Sequence, residues 1–232
     1  MKTKIIAHRG ASTQAPENTM AAFQLALDLQ ADGIELDVML TADQQVVVIH
    51  DGTVDRTTNG SGRVADMTLA EVRDLDAGQG EKVPTLLEVL ERFSGKLLIN
   101  IELKNYTSIF DRLPVEVAKL IESHYLEQDV LISSFNPFNL PRVRNHLPGA
   151  RLGLITQSSQ ARRLIWRLFR YNALHPHFSD VDAALVSALH ARNRQINVWT
   201  VDEPEEIKRL VKINVDGIIT NDPQYTREVL AA

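Results

Sequence analysis

The 232-residue chain contains no cysteine. Disulfide staples, thiolate nucleophiles and zinc–thiolate sites are thereby excluded, and the absence fits a reducing compartment. Basic residues are outnumbered: 25 Lys and Arg face 30 Asp and Glu, a formal net charge of −5. That balance lacks the basic footprint of a nucleic-acid binder. The densest positive stretch, Arg162, Arg163, Arg167 and Arg170, reads as the solvated side of a helix or as a patch for anionic headgroups. No run approaches the ~20 apolar residues of a membrane span. The apolar run after Lys4 turns polar at His8, too early for the core of a secretory signal. The expectation is a cytoplasmic protein without stable membrane insertion. Internal repeats, low-complexity tracts and linkers are also absent, which predicts one domain over residues 1–232.

Hydrophobic residues make up 44% of the chain and charged residues 24%, an ordinary globular balance. Short β-branched runs alternate with longer helical patterns, the mark of βαβ units and a parallel sheet. The strands read as Lys4–His8, Gly33–Leu40, Leu97–Lys104, Val130–Phe135, Arg151–Thr156, Ala173–His175, Ile196–Val201 and Gly217–Thr220. Eight such strands suit a TIM-type (β/α)8 barrel. Helical patterns fill the gaps at Asn18–Leu29, Leu86–Phe93, Val115–Ser123, Gln160–Phe169, Asp182–Arg192, Pro204–Val211 and Gln224–Leu230. One run breaks the alternation. Val46–His50 follows the second strand too closely for a parallel crossover. It should return antiparallel as a hairpin, and pairing Thr41 with Gln45 or Val46 sets His50 beside Asp37. Residues 51–84 then form an unusually long connection, with a loop signal at Asn59-Gly60-Ser61-Gly62 and a capping box from Thr68 to Glu71. It reads as a small insertion over the barrel mouth.

Barrel active sites lie where strands end at their C-terminal side. His8 closes the first strand. Glu35 and Asp37, two apart on the second, project to one face. Asn100, Glu102 and Lys104 do the same on the third, and His175 and Trp199 end later strands. Each has a structural reading when taken singly: an ion pair, a satisfied polar group or core. Together they place several ionisable groups in one mouth, which is costly unless they are paired or bind metal. Three carboxylates that close repel one another. A hard dication relieves this, and oxygen ligands favour Mg²⁺ or Ca²⁺; no zinc-type His-Glu-x-x-His spacing occurs. His8 and His50 would remain as an acid–base pair near neutral pH. Arg9 and Lys104 supply positive charge for an anion, Arg9 by a two-pronged phosphate grip. The set describes a phosphodiester-cleaving site.

His8-Arg9-Gly10, Pro16-Glu17-Asn18-Thr19, Glu35-Leu36-Asp37-Val38, His50-Asp51, Arg56-Thr57-Thr58-Asn59-Gly60 and Ile101-Glu102-Leu103-Lys104 occur in that order. Ser134-Phe135-Asn136, Val198-Trp199-Thr200-Val201 and Asp216-Gly217-Ile218-Ile219-Thr220-Asn221-Asp222-Pro223 follow them. In order and spacing, over essentially the whole chain, these motifs resemble the glycerophosphodiester phosphodiesterase family. The resemblance implies a barrel, one divalent metal, and hydrolysis of glycerophosphodiesters to glycerol 3-phosphate and an alcohol. It maps the metal carboxylates onto Glu35, Asp37 and Glu102, the catalytic histidines onto His8 and His50, and a small cap onto residues 51–84. Arg9, Lys104 and Trp199 are the residues expected to contact substrate or its phosphate. Thr13 stands where glycine is common in the family and Asp202 where asparagine is.

Three other readings compete. A lysophospholipase D-type enzyme would carry nearly the same site with an apolar groove beside it. A non-catalytic phosphodiester-binding barrel would lack a histidine or a carboxylate, and none is missing. An enolate-type metal barrel would leave the paired histidines unexplained.

Overall fold

A computed structural model describes residues 2–105, 110–124, 126, 130–157 and 168–231. The strands are β1 (Lys4–His8), β2 (Gly33–Leu40), β3 (Val46–Val48), β4 (Leu98–Leu103), β5 (Val130–Ser134), β6 (Arg151–Thr156), β7 (Ala173–Pro176), β8 (Gln195–Val198) and β9 (Gly217–Thr220). The helices are α1 (Met20–Asp28), α2 (Leu69–Asp74), α3 (Leu86–Phe93), α4 (Leu113–Ser123), α5 (Asn139–His146), α6 (Ala183–His190), α7 (Pro204–Lys212) and α8 (Pro223–Ala231). The sheet runs β1-β9-β8-β7-β6-β5-β4-β2, and a β1–β2 pairing closes it into an eight-stranded parallel barrel. The expected (β/α)8 architecture is therefore present.

Alternation along each strand explains why the chain closes. Ile34, Leu36 and Val38 on β2, and Ile99, Ile101 and Leu103 on β4, face outward into the cluster formed with Phe23, Leu86, Val89, Leu90 and Phe93 of the helices. Phe23 and Phe93 meet edge-to-face, with centroids 6.1 Å apart, between α1 and α3. The intervening polar residues of β2 and β4 are left inside the barrel. Helix starts follow local chemistry: Thr19 accepts from the Ala22 amide, and Thr68 and Thr85 each form a full capping box, with Glu71 and Glu88. Gly10, at φ 84°, lets the turn after β1 press against α1, where a Cβ would lie 2.6 Å from the Ala22 backbone.

β3 is the expected hairpin return. It pairs antiparallel with β2, Val38 opposite Val48, and Ile49 N–H donates to the Asp37 carbonyl at 2.9 Å. His50 follows immediately at the rim. Residues 51–84 carry a 3₁₀ turn (Val64–Asp66) and α2. They form a second small core: Val54, Val64, Val72, Ala77 and Val83 close over Val47 and Ile49 of the hairpin.

Helix α5 departs from the sequence expectation, which left that stretch without a helix. Leu140 and Val143 are buried at helical spacing. Pro141 lies in the first turn of α5, where its missing N–H and fixed φ do no harm. The expected helix Gln160–Phe169 lies for the most part outside the described residues, as do Arg162, Arg163 and Arg167. No described helix is long and apolar enough to cross a membrane.

Candidate active site

Strand register brings the functional side chains together. His8 sits level with Glu35, Glu35 with Asn100, Asp37 with Glu102, and Glu102 with Ser133. The two inward rows line a cavity of about 110 Å³ that collects His8, Arg9, Glu35, His50, Glu102, Lys104 and Trp199. Asp37 lies directly behind this wall, within ion-pair distance of both Arg9 and Lys104. All eight residues singled out from the sequence are thus assembled in one place.

Glu35, Asp37 and Glu102 each present a carboxylate oxygen, and these atoms lie within 4.8 Å of one another. The three are buried, at 3%, 1% and 8% exposure. Burial, with Asp37 and Glu102 alongside, pushes the Glu35 carboxyl well above its ordinary range. Burial would raise Asp37 too, but Lys104 and Arg9 outweigh it and hold that carboxyl low. Lys104 Nζ reaches Glu102 at 2.8 Å and Asp37 at 3.4 Å. The Asn18 amide donates to Asp37 at 2.9 Å. Protein groups therefore offset the burial of Asp37, while the burial of Glu35 is left uncompensated. An all-oxygen donor set with one carboxyl forced toward neutrality is a fit for a hard divalent ion.

Arg9 is committed within the protein more than the sequence alone indicates. Its Nη1 donates to Glu17 at 2.9 Å and its Nε lies 3.2 Å from Asp37. Glu17 in turn takes both Nη atoms of Arg56 at 2.8 Å, Arg56 Nε reaches Asp51 at 2.5 Å, and Asp51 meets His50 Nδ1 at 2.6 Å. An alternating chain of charges thus links the barrel carboxylates to the rim histidine and ties residues 51–84 to the turn after β1. Although burial opposes it, the Arg56 and His50 hydrogen bonds bring Asp51 down to about 2. Glu17, Asn18, Asp51 and Arg56 had stood in the sequence motifs without a role. No local signal in the sequence marks these partners; Asn18 itself adopts φ 58°, a conformation Asn tolerates.

The second histidine is held differently. His8 Nδ1 lies 2.7 Å from Asn221 Oδ1, and its Nε2 lies 3.9 Å from Glu35. Burial, helped by neighbouring Arg9, lowers the His8 pKa. Trp199 donates its Nε1–H to the His175 carbonyl at 2.8 Å and stands edge-on to Phe135, 5.4 Å away. Its ring is thereby fixed as a wall of the cavity. Beneath, His175 is 1% exposed, takes an amide contact from Asn197 at 3.1 Å, and has an Nδ1 without a hydrogen-bond partner among the described residues. Both amide atoms of Asn100 are likewise buried and unpaired.

Two broader grooves open from the cavity at His50 and Lys104. One, of about 840 Å³, runs past Met39, Leu40, Phe110 and Leu113. The other, of about 630 Å³, runs past Phe135, Pro137 and Trp199. Phe110 is 84% exposed at the rim.

Comparison with known proteins places this geometry. Residues 8–225 match the glycerophosphoryl diester phosphodiesterase family. A glycerophosphodiester phosphodiesterase of Caldanaerobacter subterraneus subsp. tengcongensis is 44% identical, the alignment covering 97% of this chain and 96% of the relative. One from Bacillus altitudinis is 38% identical over 95% of both chains. Among solved structures, an Oleispira antarctica phosphodiesterase in complex with the product sn-glycerol-3-phosphate superposes with a TM-score of 0.91. It is 31% identical and is matched over 100% of this chain and 98% of its own. With its motifs in order, its barrel closed and its relatives aligned almost end to end, the chain belongs to the glycerophosphoryl diester phosphodiesterase family.

Proposed function

We propose that the chain hydrolyses glycerophosphodiesters to glycerol 3-phosphate and an alcohol at the cavity between β1, β2 and β4. One observation carries the reading: three buried carboxylates present oxygens within 4.8 Å of one another, and two of them, Glu35 and Glu102, line one cavity with His8 and His50, in a member of this family. Glu35, Asp37 and Glu102 would hold one Mg²⁺ or Ca²⁺ ion. Such an ion, when bound, supplies positive charge to the phosphoryl oxygens. His8 and His50 face the same cavity and exchange the two protons that P–O cleavage requires, one from the nucleophile and one to the leaving oxygen. The nucleophile is water or the glycerol 2-hydroxyl; the second route passes through a cyclic phosphate that water opens. Lys104 and the remaining Nη2 of Arg9 offer charge to the phosphate, and Trp199 packs against the substrate. Residues 51–84 act as a cap on a single catalytic domain. The cytoplasmic setting expected from the sequence belongs to the same proposal.

The test is release of glycerol 3-phosphate from a panel of glycerophosphodiesters by chelated protein, before and after Mg²⁺ or Ca²⁺ is restored. Activity should return with the metal and be absent from Glu102→Ala. Full activity of Glu102→Ala after exhaustive chelation would remove the metal site from the reading. The two grooves favour a second reading, a lysophospholipase D-type activity, because their volumes exceed what a small headgroup fills. Cleavage of a monoacyl phospholipid at a rate comparable to glycerophosphocholine supports it; no cleavage below the micellar concentration excludes it.

A further inference from the structure

We propose that Asp202 and Asn221 form a positioning pair that holds the His8 ring with its proton on Nδ1 and its Nε2 lone pair turned into the cavity. The inference rests on the functional reading only in taking His8 as a reacting group. Its basis is the polarity of three consecutive contacts at the ends of β8 and β9.

The Asp202 carboxylate accepts three hydrogen bonds: from the Asn221 backbone N–H at 2.8 Å, from Asn221 Nδ2 at 2.6 Å and from Thr220 Oγ1 at 2.9 Å. A carboxylate can only accept. The end of the Asn221 amide that faces it must therefore be the NH₂. A flipped amide would set an oxygen 2.6 Å from a carboxylate oxygen with no proton between them. The amide orientation follows from chemistry, although O and N look alike in shape. Its other end, Oδ1, then faces His8 Nδ1 at 2.7 Å and also accepts from Ser12 Oγ at 3.3 Å. A carbonyl oxygen cannot donate, so Nδ1 must carry the hydrogen. In the neutral ring this leaves Nε2 as the lone-pair nitrogen, on the side of Glu35.

The contrast with His50 makes the arrangement specific. Asp51 meets His50 Nδ1 directly. At His8 the negative charge stands one residue further out, with a neutral amide between. The pair therefore sets ring orientation and tautomer without placing a carboxylate on the ring. Neither Asp202 nor Asn221 lines the cavity, and Asn221 reaches the site only through the His8 ring, so they are positioning residues.

The relation predicts a particular rescue. Asn221→Asp alone places two carboxylates against each other. Combined with Asp202→Asn, it restores a donor–acceptor contact with the roles exchanged: the amide at 202 donates, and the carboxylate at 221 accepts from it and from His8 Nδ1–H. Asn221→Leu keeps the branching at Cγ and removes the acceptor. The first readout is ¹⁵N NMR of metal-free protein labelled at histidine, with the His8 signals assigned by His8→Ala. The parent should show a protonated Nδ1 and an unprotonated Nε2, Asn221→Leu should lose that preference, and the double variant should recover it. The second readout is steady-state kinetics on a glycerophosphodiester. Asn221→Leu should lower kcat by roughly 10²-fold or more, as misplaced histidine tautomers do, with KM nearly unchanged, and the double variant should recover most of kcat. A parent His8 protonated on Nε2, a parental kcat for Asn221→Leu, or a double variant no better than Asn221→Asp each overturns the inference. If the parent cleaves no glycerophosphodiester, the functional reading fails, and the NMR result still decides the positioning role.

Discussion

His175 makes the stability of the barrel depend on pH by an amount that can be worked out. The residue is 1% exposed, and burial lowers its pKa from 6.5 to about 3. Its Nε2 receives the Asn197 amide, and Gly153 opposite leaves no spare room, since a Cβ there would lie 2.9 Å from that nitrogen. The folded protein therefore keeps the ring neutral, while the unfolded chain protonates it near 6.5. Where the unfolded state binds more protons, stability falls as pH falls. The contribution is complete above pH 6.5 and is lost progressively down to about pH 3. Each pH unit inside that window is worth about 1.4 kcal/mol for one proton. Between pH 7 and pH 5 the loss attributable to His175 is about 2 kcal/mol. Other groups, His8 among them, titrate as well, so the informative quantity is a difference between proteins. Urea unfolding of the parent and of His175→Gln at both pH values provides it. The variant is expected to be less stable at pH 7 but to lose about 2 kcal/mol less on going to pH 5. Equal losses in the two proteins would refute the claim that a buried neutral His175 limits acid stability.

The remaining predictions concern the site. Arg9→Lys should lower kcat/KM by about tenfold or more, because an ammonium cannot serve Glu17 and Asp37 together while offering charge to phosphate; steady-state kinetics equal to the parent's would count against it. His50→Ala should slow turnover by roughly 10²–10⁴-fold with the metal affinity retained, which calorimetric titration with Mg²⁺ or Ca²⁺ checks; loss of metal binding would assign His50 to the wrong role. Shortening residues 51–84 while keeping His50, Asp51 and Arg56 should alter relative rates among glycerophosphodiesters more than metal affinity. Uniform loss of metal affinity with unchanged selectivity would remove the cap from substrate choice.

The barrel and most of its site were legible in the chain because both follow from short-range rules. A strand period of two decides that Glu35 and Asp37 share a face, and that Asn100, Glu102 and Lys104 share another, whatever the rest of the protein does. Barrel closure then turns those faces inward, and the spacing between Leu40 and Val46 forces a hairpin that returns His50 to the rim. Helix α5 is not among the helical patterns read from the sequence; its Pro141 would break a helix interior but falls in the first turn, where it is tolerated. What tertiary structure alone decided lies between elements far apart in sequence. Nothing near His8 announces that Asn221, 213 positions away, meets its Nδ1, or that Asp202 orients that amide. Nor does any local pattern reveal that Glu17 joins Arg9 to Arg56, since hydrogen-bond partners depend on strand order and loop path. The sequence by itself determined which residues carry charge into the mouth. The closed barrel decided which of them bear the cost of burial, because desolvation and pairing exist only once the neighbours are in place.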